Sequence, residues 1–530
     1  MSFNFGDMIE AVEAVIPGDR PALAHGDQVV DWATLRAQSN NLARALVERG
    51  LKPGDRFAFY AYNSADYLVA LMACWKARGT HVNVNYRYVA DELAYILADS
   101  DATVLVYDAR LRDCVEEVVD RSPLVRSYVE IGGDGTAPAF AEAFEDLVQG
   151  DGAPLGLARD PQDRFFIYTG GTTGMPKGVV WSHADLNAIA LGAAEAAGLP
   201  VPTTVEEAAA LAAANPDYPR TVCGPPLMHG TGLLTSYGSL LGGGFVATLP
   251  SRSFHPEEAL DAIDRWQANR LVVVGDAFAR PILEALDAEP NRWDVSSMRL
   301  INSSGVMWTQ GVKDGLIRHM PEATCQDNFS SSEAIGMGVS LTTKDGTVET
   351  AKFVVGPRCR VLDDDDKDVV PGSGVTGKVV LGPPNPVEYH KDPEKSARTF
   401  RVIDGARYTV SGDFAQVAED GSVILLGRGS ACINSAGEKI FPEEVEEALK
   451  LCPQVDDALV FGMPDPKWGQ AVAAVVQSVR GFDEGVTRDV LRTKLAGYKL
   501  PKLIVATGES LRAPNGKADY AKAKGLAGVA

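Results

Sequence analysis

No stretch of this chain approaches the ~20 consecutive apolar residues that a membrane-spanning helix needs. Apolar runs such as Leu271–Val274 are short. Met1 to Arg20 has neither the basic start nor the continuous apolar segment of a secretion signal, and it carries Asp7, Glu10, Glu13 and Asp19. A cytoplasmic enzyme is therefore expected, with at most peripheral membrane contact. Cysteine is scarce: Cys74, Cys114, Cys223, Cys325, Cys359, Cys432 and Cys452 are widely spaced and form no C-x-x-C. That excludes a disulfide framework and a zinc site of the usual spacing. Positive charge is also short, with 50 Lys and Arg against 71 Asp and Glu and a net charge of -21. Such a surface disfavours nucleic acid and anionic lipid, though a local basic pocket remains compatible with it. Internal repeats and low-complexity segments are lacking as well.

What is present is ample core material. Apolar residues make up 45% of 530, enough for about three to five compact units. Helix and strand patterns alternate through residues 35–120. Leu35–Arg49 reads as an amphipathic helix ending at Gly50, Arg56–Tyr60 as a strand and Asn63–Ala77 as a helix. His81–Asn85 and Thr103–Tyr107 read as buried strands. This is the signature of a layered α/β fold. Thr203–Ala214 looks like an inserted helix, and Phe245–Leu249 and Leu271–Val274 look like further strands. From Val354 to Leu426 short strands and Gly/Pro/Asp turns predict a small β-rich subdomain. There Asp363–Asp366 reads as a solvated turn rather than a metal site. After Gly427-Arg428-Gly429-Ser430 the pattern becomes a compact α+β tail, with a helix over Glu443–Leu451 started by Pro442. The expected division is a large N-terminal domain over 1–428 and a small mobile C-terminal domain over 429–530.

The densest motif is Tyr168-Thr169-Gly170-Gly171-Thr172-Thr173-Gly174-Met175-Pro176-Lys177-Gly178, which follows the apolar Phe165-Phe166-Ile167. Glycines let backbone N–H groups converge on an anion, threonines add hydroxyl donors and Lys177 adds charge. It is not the phosphate loop of hydrolytic NTPases. Pro176 stands where that loop needs Gly, and Gly178 stands where it needs a metal-binding hydroxyl.

This loop and five ordered stretches after it resemble the adenylate-forming superfamily: acyl- and aryl-CoA synthetases, carrier-loading adenylation domains and beetle luciferases. Gly170 occupies a usual Ser position. The resemblance covers nearly the whole chain and assigns roles that composition alone does not give. Thr169, Gly170, Gly171, Thr172, Thr173, Gly174 and Lys177 would hold ATP phosphates. His229, in Pro225-Pro226-Leu227-Met228-His229-Gly230, would border the acyl route. Gly305 and Val306, after Ser303-Ser304, would lie along adenine. Asp327-Asn328-Phe329-Ser330-Ser331-Ser332-Glu333 would stack Phe329 on adenine, with Asp327, Asn328 and Ser332 as further nucleotide contacts. Glu333 and Thr172 would hold Mg²⁺. Asp413, in Ser411-Gly412-Asp413, would bind ribose hydroxyls, and Arg428 ribose or phosphate. Lys517, in Pro514-Asn515-Gly516-Lys517, would neutralise charge at the α-phosphate. The hinge of such enzymes falls at Ser430, where Asp or Lys is common; Ala431 and Asn434 likewise replace the usual acid and lysine.

The implied reaction joins a carboxylic acid to AMP, with loss of pyrophosphate, and then passes the acyl group to coenzyme A. No protein nucleophile is required. Catalytic weight falls on Lys517, Thr172, Glu333 and His229, with ATP/AMP, Mg²⁺ and CoA as cofactors and cosubstrates. Of the region expected to line the acyl pocket, Asp276 is the one acid. The rest is small or apolar, which suits a medium- or long-chain or bulky alicyclic acid. The inserted helix and the Asn434–Glu446 stretch resemble bacterial fatty-acid and steroid-side-chain CoA ligases. Partners are expected to be small molecules only; self-association as a homodimer stays open. So do two other readings: loading of a carrier-protein thiol, and a nucleotide-binding protein that has lost its chemistry.

Overall fold

The computed structural model describes residues 3–171, 174–306, 308–347, 351–431, 433–435, 438–465, 469–479, 481–495, 497–513 and 516–529. The chain divides into two compact units. The first comprises Met1–Gly336, Leu341–Thr347 and Gly382–Thr409; the second comprises Met337–Ser340, Val348–Leu381 and Val410–Ala530.

The first unit is built on two sheets. Its opening half contains α1 (Phe5–Val15), β1 (Arg56–Tyr60), α2 (Ala65–Lys76), β2 (Thr80–Asn83), β3 (Ala102–Asp108), β4 (Ser127–Ile131), β5 (Arg164–Gly171) and β6 (Gly174–Ser182). These strands lie in the order β6-β5-β2-β1-β3-β4, with the short strand Glu388–Tyr389 added beyond β6. Strands β5, β2, β1, β3 and β4 are parallel; only β6 and Glu388–Tyr389 run antiparallel to their neighbours. The run Phe57-Ala58-Phe59-Tyr60 is buried throughout, as a parallel strand covered on both faces must be. Helix α2, capped by Ser64, is buried at every position but Asp66 in its first turn, so its apolar residues go round the helix rather than along one stripe. Its one cation, Lys76, is satisfied by Glu13 at 2.7 and 2.9 Å, Ser39 at 2.7 Å and Asn40 at 2.9 Å. Paired in this way a buried charge is tolerated; without partners it would cost several kcal/mol.

The second sheet alternates β7 (Arg220–Cys223), α3 (Gly230–Leu241), β8 (Phe245–Thr248), β9 (Arg270–Val273), α4 (Asp276–Ala288), β10 (Leu300–Ser304), α5 (Gln310–His319) and β11 (Thr324–Phe329). All five strands are parallel, in the order β11-β10-β9-β7-β8, and Pro21–His25 joins beyond β8. The inserted helix is present as Val205–Ala214, capped by Thr204, with Ala209 and Ala212 buried.

In the second unit Cys359–Leu362 pairs with Gly377–Leu381. The acidic turn after Leu362 is closed by its own backbone: the Asp363 carboxylate accepts the N–H groups of Asp365 and Lys367 at 2.9 Å each. The tail holds α6 (Pro442–Lys450) and a sheet of β12 (Asp457–Asp465), β13 (Gly469–Gln477) and β14 (Leu503–Thr507). Among the described residues no helix is long and apolar enough to cross a membrane.

Candidate active site

The glycine-rich motif is a β-hairpin. β5 and β6 pair as Tyr168↔Gly178, Thr169↔Lys177 and Gly171↔Gly174, with a register shift between Thr169 and Gly171. The tip, Thr172 and Thr173, lies outside the described residues, as do any contacts they make. The chain returns as a strand and becomes helical only at His183, so the loop does not open directly into a helix. Gly178 is required by packing: a Cβ there would sit 2.9 Å from the Tyr168 ring, whose hydroxyl donates to Asp99 at 2.7 Å. Lys177 points its ammonium to within 3.6 Å of Asp392. That carboxylate caps the short helix Pro393–Thr399 through the Lys395 N–H. This N–H, together with Lys177, holds the Asp392 carboxyl below the ordinary range.

Asn83 fastens the hairpin to the His229 segment, and Asn63 ties that segment to the loop after β1. The Asn83 amide, at the end of β2, donates to Tyr168 O at 2.9 Å and to Met228 O at 2.8 Å, while its oxygen accepts the Tyr168 N–H at 2.7 Å. The Asn63 amide donates to Pro225 O at 3.0 Å and accepts the Leu227 N–H at 2.7 Å. His229 thereby stands at the N-cap of α3. Gly232, in the first turn, allows close approach: a Cβ would lie 2.8 Å from Pro226 O.

The ends of β10 and β11 form the next part. Gly305 has φ +93°, a left-handed conformation that suits glycine, and Val306 follows it. Alternation along β11 sends Asp327 and the buried Phe329 to one face and Asn328 to the other. Asn328 donates to Asn302 Oδ1 at 2.5 Å and Ser303 O at 2.8 Å, tying the two strand ends together. Asp327 is buried in an ion pair with Lys313 of α5 at 3.6 Å. Beyond β11 the chain makes a turn, not a helix start. Ser331 Oγ accepts the Ala334 N–H at 3.1 Å and Ser330 Oγ accepts the Gly336 N–H at 3.0 Å. The Ser332 carbonyl accepts the Trp181 indole N–H at 2.9 Å. This turn presents Glu333, half-buried, whose Oε1 accepts the Tyr389 hydroxyl at 2.7 Å. Among the described residues Glu333 makes no other hydrogen bond. Its second carboxylate oxygen is thus a hard, anionic donor of the kind Mg²⁺ takes.

Asp276 is saturated. It accepts the Thr309 N–H at 2.9 Å, the Thr309 hydroxyl at 2.8 Å and the Arg280 guanidinium at 2.8 Å. It fixes the segment that follows Gly305–Val306 and has little capacity left for a substrate amine.

In the second unit Asp413 and Arg428 are direct cross-strand partners, and Asp413 is nearly buried. Lys517 is exposed on a tight hairpin. Ala513 and Gly516 close that hairpin at 2.8 Å, Arg512 bridges to Ala518, and Gly516 has φ +79°. The Arg512 guanidinium anchors it by a double contact with Asp457 at 2.6 and 2.8 Å.

Sequence reasoning missed Asn63, Asn83, Tyr389 and Asp392. A polar Asn ending a buried strand was the readable signal for Asn83, since such a side chain must find partners. It also missed a cluster just past the C-terminal ends of β1, β2, β3 and β8, the edge where parallel sheets bind ligands. The Tyr62 and Tyr86 rings lie 4.5 Å apart; Arg87 sits 4.7 Å from the Tyr86 ring, and Arg110 and Arg252 sit 4.5 and 5.5 Å from Tyr62. Arg87 Nη1 is buried without a hydrogen-bond partner.

Residues 10–388 match the model of the AMP-binding enzyme family, and residues 444–517 match the AMP-binding enzyme C-terminal domain. The chain is 38% identical to a medium/long-chain-fatty-acid–CoA/3-oxocholest-4-en-26-oate–CoA ligase of Mycolicibacterium smegmatis, over 99% of this chain and 96% of that protein. It is 38% identical to a 3-oxocholest-4-en-26-oate–CoA ligase of Rhodococcus rhodochrous, over 100% and 97%. Its fold superposes on the anthranilate CoA ligase AuaEII in complex with anthranoyl-AMP with a TM-score of 0.82, at 21% identity over 99% and 97% of the two chains. With the ordered motifs on their strand ends and both family models matched, the chain belongs to the AMP-binding enzyme family.

Proposed function

We propose that the chain is an AMP-forming acyl-CoA synthetase acting on medium- or long-chain fatty acids or a steroid side-chain acid. The observation that carries this reading is full-length similarity, across both family domains, to relatives named for those reactions. The saturated carboxylate of Asp276 supports an acid without an amine to bind.

In the first half-reaction the substrate carboxylate attacks the α-phosphate of ATP; the bond to the β-phosphate bridge breaks and pyrophosphate leaves. The obstacle is repulsion between anions. The glycine hairpin, Lys177 and Lys517 offset it. Glu333 and Thr172 would hold Mg²⁺, which would supply charge neutralisation on the phosphates when bound. Tyr389 fixes the carboxylate of Glu333, and Asp392 holds the ammonium of Lys177 in place. Gly305, Val306, Asn328 and Phe329 form the adenine side; Asp413 and Arg428 take the ribose. In the second half-reaction the CoA sulfur attacks the acyl carbonyl, its proton is lost and AMP leaves. His229 borders that route.

The tyrosine–arginine cluster favours CoA over a carrier-protein thiol, because stacked rings and guanidinium groups suit an adenine nucleotide with several phosphates. Arg87→Ala should raise the KM for CoA about tenfold and leave acid-dependent ATP–pyrophosphate exchange within twofold of the unmodified enzyme. Equal losses in exchange and in CoA use would count against that assignment.

A further inference from the structure

A different set of cations lies at the opposite edge of the first sheet. β1, β2 and β5 run parallel, and Arg56, Thr80 and Arg164 are their first residues. With Lys52, Asp55 and Phe166 these line a cleft of about 420 Å³. It sits a strand length, ~16 Å at ~3.3 Å per residue, from the Thr169 end of β5. The glycine-rich end of the hairpin lies at the far end of that strand.

The charge balance of this cleft is unusual for the chain. Acids outnumber bases by 71 to 50 overall, yet the Lys52 ammonium and the guanidinium groups of Arg56 and Arg164 make no hydrogen bond or ion pair among the described residues. Both arginines are partly buried; Arg56 helps hold the Asp101 carboxyl below the ordinary range without a hydrogen bond to it, so neither guanidinium recovers the hydrogen bonds that burial removes. The acids nearby are already engaged. Asp55 accepts from Arg126 at 2.6 Å and from the Lys52 backbone N–H at 2.8 Å. Asp101 is bound by Lys391 at 2.7 Å and lies 3.5 Å from His390. Thr80 and Gly54 also line the cleft, with the Thr80 hydroxyl 3.5 Å from Gly54 O. Three cations without a hydrogen-bonded acid around a small cleft match a multiply charged oxyanion, since guanidinium forks pair two-to-two with phosphate oxygens. The volume falls in the range of small-ligand sites.

We propose that this cleft binds a small phosphate compound carrying two or more negative charges, such as pyrophosphate or the diphosphate of a nucleotide, at a site separate from the glycine hairpin. Lys52, Arg56 and Arg164 supply the charge, and Thr80 a hydroxyl.

Calorimetric titration of the full chain with inorganic pyrophosphate tests this. The unmodified protein should bind it, more weakly as salt rises, and Arg56→Gln/Arg164→Gln should bind at least tenfold more weakly at this site while keeping acid-dependent pyrophosphate release. Lys52→Gln, on an exposed turn with no burden on folding, should weaken binding about threefold and guards against misfolding of the double variant. A parallel titration with ADP separates a free anion from a nucleotide: binding of pyrophosphate as tight as ADP assigns the phosphates alone, and tighter ADP binding lost in the same variants assigns a nucleotide. No binding of either probe at millimolar concentration, or affinities unchanged in both variants, would overturn the proposal.

Discussion

Asn83 shows how a site can depend on a residue that touches no substrate. One amide meets Tyr168 N, Tyr168 O and Met228 O, so the base of the hairpin and the His229 segment share one anchor. Asn83→Leu keeps the volume and removes all three bonds. It leaves buried backbone groups unmet at roughly 1–3 kcal/mol each, so a loss of about 3 kcal/mol or more is expected in urea unfolding. The turnover of pyrophosphate release should fall more than tenfold with little change in the KM for CoA; activity within twofold of the unmodified enzyme would rule out the anchoring role. The residues in contiguous motifs, Lys177, His229, Glu333, Asp413 and Lys517, were put forward as candidates from the sequence because each lies in a local pattern. Asn83, Tyr389 and Asp392 were not. Their partners lie 85 or more residues away in the chain for Asn83, 56 for Tyr389 and far along it for Asp392, and only the closed fold brings them together.

Among the elements, the hairpin from Arg512 to Ala518 has the simplest logic. A left-handed Gly516 makes the turn, Lys517 is its exposed product, and the Arg512–Asp457 pair fixes its base. Burial alone would raise the Asp457 carboxyl, but Arg512 overcomes this and holds it below the ordinary range. Lys517→Ala should reduce acyl-adenylate formation by about a hundredfold and leave thioester formation from supplied acyl-AMP largely intact. Equal loss of both half-reactions would contradict a role confined to the first. The strands and helices that the sequence predicts in the first unit were readable from their apolar patterns, within a few residues at their ends. Glu333 was less so: its surroundings admit a helix start on local grounds, and the turn it occupies is set by the Ser330 and Ser331 hydroxyls. The purpose of Gly178 was likewise hidden, because it answers to the Tyr168 ring on the facing strand.

Across the whole molecule, acid sensitivity follows from two buried histidines. His81 stacks on Phe165 and His183 on Phe5, and burial lowers each to about 3. Unfolded, each titrates near ~6.5. The stability they contribute is therefore complete above that pH and is lost as pH falls toward the folded value, by about 1.4 kcal/mol per pH unit per histidine. Buried Glu13 and Glu446, raised by desolvation, act with the opposite sign above the ordinary Glu range, so the difference between variants is the clean readout. His81→Gln/His183→Gln should flatten the fall in unfolding free energy between pH 6.5 and 5; an unchanged slope would show that these rings do not set it. The central claim concerns the reaction itself, and pyrophosphate release tests it most directly. ATP and Mg²⁺ would be supplied with acids from acetate to long-chain and steroid carboxylates, each with and without CoA. Release that depends on a medium- or long-chain or steroid acid and multiplies when CoA is added is the expected result. Release with no acid in the panel, or release indifferent to CoA, would contradict the account.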